Sequence, residues 1–237
     1  MTIIVREDQG ERAPPGEVVD TMTGRRLDVD TIGRGAISPT EWRALARAVL
    51  SAKVACGGAI GWIIEVGTLG GKTTRGILHL LNYFGWEDTH LLTIDKEARC
   101  GGVMSPEIDF FHGTARRYFK KLQGSQGGVA PVRFAFIDGC HCQECVREDI
   151  EAIVPHTREG SVLAFHDAAD QRTRGMLVHE RYHGDGRERF YGVSEAIVAA
   201  TVRGPMGGWK QIATVDPFVR PDGSPTPIMG GLQVWQR

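Results

Sequence analysis

The stretch Gly61-Trp62-Ile63-Ile64-Glu65-Val66-Gly67-Thr68-Leu69-Gly70-Gly71-Lys72-Thr73-Thr74 decides the fold. Trp62 to Val66 is an apolar run of strand length, interrupted only by Glu65, and reads as a buried parallel strand. A glycine-rich turn follows. Lys72 to Phe84 then places Ile77, Leu80, Leu81 and Phe84 at helical spacing. Strand, glycine turn and helix is how α/β proteins hold a nucleotide. Glycine lets the backbone approach the ligand, and the helix N-terminus offers unpaired N–H groups. Two frequent forms of this turn do not fit. A phosphate loop needs four residues between its first glycine and the Gly-Lys pair, and only three separate Gly67 from Gly71. The G-x-G-x-x-G dinucleotide fingerprint has Leu69 where its second glycine belongs. What remains is Glu-x-Gly-x-x-x-Gly, with an acid inside the strand end, or a tight turn without a ligand.

Outward from this stretch, the chain of 237 residues is 41% hydrophobic, enough for one sizeable core. A formal net charge of -1 offers no basic excess for nucleic acid or an anionic membrane. No apolar run approaches the ~20 residues that span a bilayer. The N-terminal residues lack a signal-peptide pattern, so a cytoplasmic protein is expected. Five cysteines, an odd number in a chain of this size, point to reduced thiols.

Residues 1–36 are polar and rich in Gly, Pro and Asp; only Ile3-Ile4-Val5 and Val18-Val19 look able to pair or pack. They are expected to form an arm or lid, with residues 37–237 as the main domain. A helix begins at Ser38, with Pro39 in its first turn and Glu41 completing a capping box. Leu91 to Asp95 is a strand ending in an acid, placed to hold ribose hydroxyls or to serve as a surface turn. Ile108 to Phe111 is a further strand and Thr114 to Leu122 a helix. Val132 to Asp138 is a strand continued by Gly139-Cys140-His141, and Gln143 to Val154 a helix. Ser161 to Phe165 is a strand left by His166-Asp167. Val193 to Thr201 reads as helix, and Trp209 to Val215 and Gly231 to Trp235 as a closing antiparallel pair. In an open α/β sheet the carboxyl ends of the strands form the ligand crevice. Glu65, Asp95, Asp138, His141, His166 and Asp167 therefore belong to one rim.

The motifs Glu65-Val66-Gly67-x-x-x-Gly71-x-Thr73, Phe136-Ile137-Asp138-Gly139-x-His141-x-x-x-x-Val146 and Gly160-x-Val162-x-Ala164-x-His166-Asp167 resemble class I methyltransferases. The likeness is to the small-molecule O-methyltransferases related to macrocin O-methyltransferase and cephalosporin-hydroxylase-type proteins, and spans roughly residues 38–237. It implies a Rossmann-like, seven-stranded, mostly parallel sheet with a terminal antiparallel strand and helices on both faces. It implies S-adenosylmethionine as cofactor and a small polar acceptor, a sugar or natural product, methylated on oxygen. Around the cofactor it places Glu65, Gly67, Thr68, Gly71 and Thr73 from the turn. Asp95, Thr114 and Asp138 join them from later strand ends. Several relatives hold magnesium through an acid matching Asp138 and a pair of acids matching His166 and Asp167. Because His166 departs from that pair, magnesium, a softer divalent cation and no metal all stay open. His141 is the expected general base, with Asp138 beside it, since imidazole titrates near neutral pH.

Two further patterns carry less. Cys140-x-Cys142-x-x-Cys145 resembles a zinc cluster but lacks the second knuckle of a zinc module. His179-Glu180-x-x-His183 matches a zinc-protease helix but runs into Gly184-Asp185-Gly186, so a substrate lid suits it better. The competing functions are a phosphate-loop kinase or hydrolase, and a non-catalytic scaffold of the same fold. Neither nucleic acid nor membrane is expected as a partner, and a homo-oligomer is left open.

Overall fold

The computed structural model describes residues 17–19, 23, 25–28, 37–86, 89–97, 105–123, 130–168, 187–215 and 231–237. Nine strands and five α-helices occur among them, in the order β1 (Glu17–Val19), β2 (Arg26–Asp28), α1 (Pro39–Ala55), β3 (Trp62–Val66), α2 (Lys72–Tyr83), β4 (His90–Asp95), β5 (Ile108–His112), α3 (Ala115–Gln123), β6 (Val132–Ile137), α4 (Gln143–Ile153), β7 (Thr157–His166), α5 (Val193–Arg203), β8 (Lys210–Val215) and β9 (Leu232–Gln236).

The seven-stranded sheet has the order β5-β4-β3-β6-β7-β9-β8. Pairing is parallel from β5 through β7, and β9 runs antiparallel to both β7 and β8. The expected antiparallel closure is present, with β9 inserted between β7 and β8 instead of forming the edge. The order reverses at β3, which lies between β4 and β6, so the crevice opens above the carboxyl end of β3.

Parallel strands buried on both faces need apolar side chains on both, and these divide into two core layers. On one face Ile63, Leu91, Phe134, Phe136 and Val162 pack with α1 and α2. On the other, Ile64, Leu92, Ala135, Leu163 and Phe165 pack with α3, α4 and α5. Neighbouring residues of one strand thus go to opposite layers, as the period of two requires.

The helix starts follow the residues. Glu41 N–H donates to the Ser38 hydroxyl at 3.3 Å, and Ser38 N–H donates to Glu41 Oε2 at 2.8 Å, so the capping box forms as expected. Strand β7 begins at Thr157, four residues before the expected start, across the bend at Gly160. In the N-terminal region β1 and β2 pair antiparallel, and Val18 and Leu27 join the α1–α2 core layer. Arg25 Nη1 donates to the Tyr83 carbonyl at 2.8 Å, tying this ribbon to the end of α2. Ile3 to Val5, the His179–His183 pattern and the Pro221–Pro225 turn lie outside the described residues. Among the described residues, no helix is long and apolar enough to cross a membrane.

Candidate functional site

The rim is built where β3, β4, β6 and β7 end. Glu65 is fully buried, and its partners come from two other elements. Thr74 of α2 and Thr93 of β4 both donate to Oε2, the latter at 2.8 Å, and Thr93 is the residue paired with Glu65 in the sheet register. Oε1 is buried without a hydrogen bond. Burial pushes the carboxyl up to about 8, against the lowering effect of the two hydroxyls, so Glu65 is a neutral acid at pH 7.

The turn after β3 is held from its flanks. Thr68 Oγ1 lies 2.5 Å from Thr93 Oγ1, and Leu69 N–H donates to Asp95 Oδ2 at 2.8 Å. Asp95 Oδ1 accepts from Glu97 N–H at 2.7 Å. Both Asp95 oxygens thus organise backbone, while keeping further lone pairs for a ligand. Thr114 caps α3, its hydroxyl accepting from Arg117 N–H at 3.3 Å, and the preceding Gly113 N–H reaches Asp95 O at 2.8 Å. Gly71, with φ 65, is the N-cap of α2, and Thr73 is half-buried in its first turn.

Gly67 is required for a reason the sequence does not reveal. Its φ is 99°, and a Cβ there would lie 2.1 Å from the Asp138 carbonyl oxygen. The close approach is between the β3 turn and the end of β6, not between the turn and open ligand space.

Asp138, His141, His166 and Asp167 come together with a residue that sequence reasoning placed only in a helix cap, Glu41. His141 Nδ1 lies 2.7 Å from Asp167 Oδ2, and its Nε2 is 3.4 Å from Asp138 Oδ1. That Nε2 is buried and has no hydrogen bond. His166 Nδ1 lies 2.8 Å from Asp138 Oδ1 and 3.5 Å from Asp167 Oδ1, while its Nε2 is 3.4 Å from Glu41 Oε1. Glu41 Oε1 also accepts the Gly231 N–H at 2.5 Å, which joins α1 to the start of β9. Asp167 adopts a left-handed backbone, φ 56°, to turn its carboxylate back over the rim.

Three acids and two imidazoles in so small a space set each other's charge. Burial opposes a charged His141, but Asp138 and Asp167 outweigh it and raise the ring to about 9. Burial likewise opposes a charged His166, which Asp138, Glu41 and Asp167 raise well above its ordinary 6.5. Burial works against the carboxylates too, yet His166 and Ser38 lower Glu41 to about 2, and the two histidines hold Asp138 well below the usual carboxylate range.

This donor set does not fit a magnesium ion. Such an ion takes oxygen ligands in near-octahedral array. Here Asp138 Oδ1 and Asp167 Oδ2 face imidazole nitrogens, His166 sets a nitrogen between the two acids where a third carboxylate would be needed, and Asp167 Oδ1 is buried without a hydrogen bond. The positive charge that balances these acids is the pair of imidazoliums. Among the described residues, Asp138, His166 and Asp167 do not bring three ligand atoms within 4.8 Å of one another.

A family model described as a methyltransferase domain matches residues 64–168, from within β3 to just past the His166–Asp167 pair. The O-methyltransferase from Bacillus cereus, solved with SAH, superposes with a TM-score of 0.56 at 15% identity, over 88% of this chain and 86% of that one. TomG, an O-methyltransferase of tomaymycin synthesis from Streptomyces achromogenes solved with SAM, gives 0.53 at 17% identity, over 85% and 81%. No curated protein sequence matches the chain. The fold is that of these O-methyltransferase structures, and the stretch from β3 to the end of β7 matches the methyltransferase-domain model.

Glu41, Thr74 and Thr93 are site residues that sequence reasoning missed. Thr93 carried a signal, being a lone hydroxyl inside the apolar run Leu91 to Ile94 beside a strand with a buried acid. Glu41 carried none beyond its cap, because its partners His166 and Gly231 lie far along the chain.

Proposed function

We propose that the protein is an S-adenosylmethionine-dependent O-methyltransferase acting on a small polar acceptor, with residues 37–237 as the catalytic domain and residues 1–36 as an arm. The observation that carries this reading is the His141 ring: Nδ1 anchored on Asp167, Nε2 buried without a hydrogen bond and 3.4 Å from Asp138 Oδ1. Among the described residues the rim is rich in acids and shows no phosphate cradle. Acidic acceptors suit the ribose hydroxyls and ammonium of S-adenosylmethionine, and would repel a nucleoside triphosphate. Lys72, which a phosphate loop would turn inward, is exposed.

When bound, the sulfonium supplies a methyl group already activated for displacement. The protein's part is then to align the acceptor hydroxyl and remove its proton. Unprotonated His141 Nε2 accepts that proton. Asp167 receives the Nδ1–H, fixes the tautomer and stabilises the imidazolium that forms. Asp138 faces the same Nε2 at 3.4 Å, so its carboxylate favours the ring once protonated. In this reading His166 keeps Asp138 and Glu41 charge-balanced, and no step passes through a metal. Glu65, Gly67, Thr68, Gly71, Thr73, Asp95 and Thr114 shape the cofactor side of the rim, with Asp95 on the ribose.

Thermal-shift and isothermal titration with S-adenosylmethionine, S-adenosylhomocysteine and ATP test the assignment. A ligand of the folded state raises its melting temperature. We expect both sulfur cofactors to bind, ATP not to, and Asp95→Ala to weaken cofactor binding far more than it lowers the stability that its two backbone hydrogen bonds supply. Stabilisation by ATP alone refutes the reading. Turnover that needs no added magnesium is the expected result for this mechanism, and a loss in EDTA that magnesium restores and zinc does not contradicts that part.

A further inference from the structure

The loop from β6 to α4 carries a second chemical group that methyl transfer leaves unused. Cys140, Cys142 and Cys145 flank His141, and their Sγ atoms all lie within 4.8 Å of one another. All three are reduced. The convergence follows from local backbone. Cys142 is the N-cap of α4 in extended conformation, φ -76 and ψ 148, and Cys145 N–H donates to its sulfur at 3.4 Å. That cap places Cys145 one turn into the helix on the same side, and the loop before it brings Cys140 back to both. Two contacts hold the loop from across the rim: Gly192 N–H donates to the His141 carbonyl at 3.0 Å, and Cys142 forms an isolated bridge with Tyr191. Among the described residues, this is the one group of three or more His, Cys, Asp or Glu side chains whose ligand atoms converge closely enough to share an ion.

We propose that Cys140, Cys142 and Cys145 form a thiolate site for one zinc ion, separate from the carboxylate–imidazole cluster. Zinc–sulfur bonds of ~2.3 Å in tetrahedral array put the sulfurs about 3.8 Å apart, so no pair has to close by more than about 1 Å. Small side-chain rotations supply that. Cys142 is buried while Cys140 and Cys145 are half-exposed, so a water could reach the cluster and complete the four ligands that zinc takes. Three thiolates around a dication leave one net negative charge. Lys96 Nζ, 3.8 Å from Cys145 Sγ, and the N-terminal end of α4 both offset it. Soft thiolates select zinc over magnesium. Loading releases the thiol protons to solvent, and the ion then pins the loop on both sides of His141.

The test uses the full chain, purified reduced and metal-free, and titrated with Co²⁺ as a spectroscopic substitute for Zn²⁺. We expect one equivalent to bind with an intense near-ultraviolet sulfur-to-cobalt charge-transfer band, displaced by Zn²⁺, and a rise in melting temperature with Zn²⁺. Cys140→Ser and Cys145→Ser should each lose the band and weaken Zn²⁺ binding at least tenfold, with far-ultraviolet circular dichroism confirming the fold. Cys56→Ser, distant from the loop, should keep both signals. Cobalt bound without the thiolate band, or a band that survives in the Cys140→Ser/Cys145→Ser double variant, overturns the proposal. So does a reduced protein that takes up no metal, whether or not its loop cysteines pair as a disulfide on air exposure. Binding of S-adenosylmethionine by the metal-free protein is measured alongside, so the cofactor assignment stands or falls independently.

Discussion

Asp167→Asn is the substitution that most sharply probes the rim. Asparagine tolerates the left-handed backbone at this position, φ 56°, better than any other uncharged residue of this shape, so the turn survives while the charge is lost. In the native protein the carboxylate lies 2.7 Å from His141 Nδ1, and the ring titrates at about 9. A hydrogen bond to a charged partner contributes about 1.5–3 kcal/mol, or roughly one to two pKa units. Asp138 still faces Nε2 and keeps part of the elevation. His141 should therefore titrate at about 7–8 in the variant, one to two units below the native value. The sign for stability follows from the raised folded pKa. The native ring's contribution is complete below its unfolded pKa of 6.5 and is lost as pH rises through about 9. At pH 6 the variant should be about 1.4–3 kcal/mol less stable, and the gap should narrow toward pH 9. The assay is ¹H–¹⁵N NMR titration of the imidazole with parallel urea unfolding. With an acceptor in hand, the rising limb of kcat/KM should extend to about pH 9 in the native enzyme and end one to two units earlier in the variant. The variant's plateau should fall by ~100- to 10,000-fold, because the correct tautomer is no longer fixed. A native His141 titrating at 6.5, or a midpoint unmoved by the substitution, refutes the reasoning.

Three other outcomes follow from the same geometry. Gly67→Ala drives a Cβ into the Asp138 carbonyl and strains a φ of 99°, so it should cost about 2–5 kcal/mol by thermal or urea unfolding; Gly70→Ala, with open space around its Cβ, should cost far less, and equal stability of the two would contradict the packing. Glu65 is held protonated, with a folded pKa of about 8, so its contribution declines as pH rises from 4.5 through 8. Glu65→Gln should match the native stability near pH 5 and exceed it at pH 9, and a variant less stable at pH 9 would show that the acid is charged in the fold. Glu41→Ala removes the capping box, about 1 kcal/mol, and a charged acceptor for Gly231, about 1.5–3 kcal/mol. Because Glu41 is lowered to about 2, its contribution is present above 4.5 and lost as pH falls toward 2, so the variant and native unfolding curves should converge in acid.

The sequence by itself determined the strand-turn-helix unit at Trp62 to Tyr83, the start of α1 at Ser38, and the placement of Asp95, Asp138 and His166-Asp167 at strand ends. Each rests on local physics: apolar period, a cap, a glycine turn, a polar residue ending an apolar run. Parallel topology then sends those ends to one rim, which is why a scattered set of acids and histidines was legible as one site. Pairing within the site was decided only by tertiary structure. Glu41 reaches His166 and Gly231 because α1 packs on β7 and β9 enters between β7 and β8, a register no local pattern encodes. Gly67 meets the Asp138 carbonyl because β3 and β6 are neighbours despite the two strand-helix units between them. The charge of His166 also came from the fold. A histidine among three carboxylates carries the proton that a magnesium ion would displace, and its neighbours had to be assembled before its role could be read. The three thiols failed the spacing rules of a zinc module, yet the N-cap of α4 folds them together, since a helix start turns the chain back on itself where sequence spacing alone measures only distance along it.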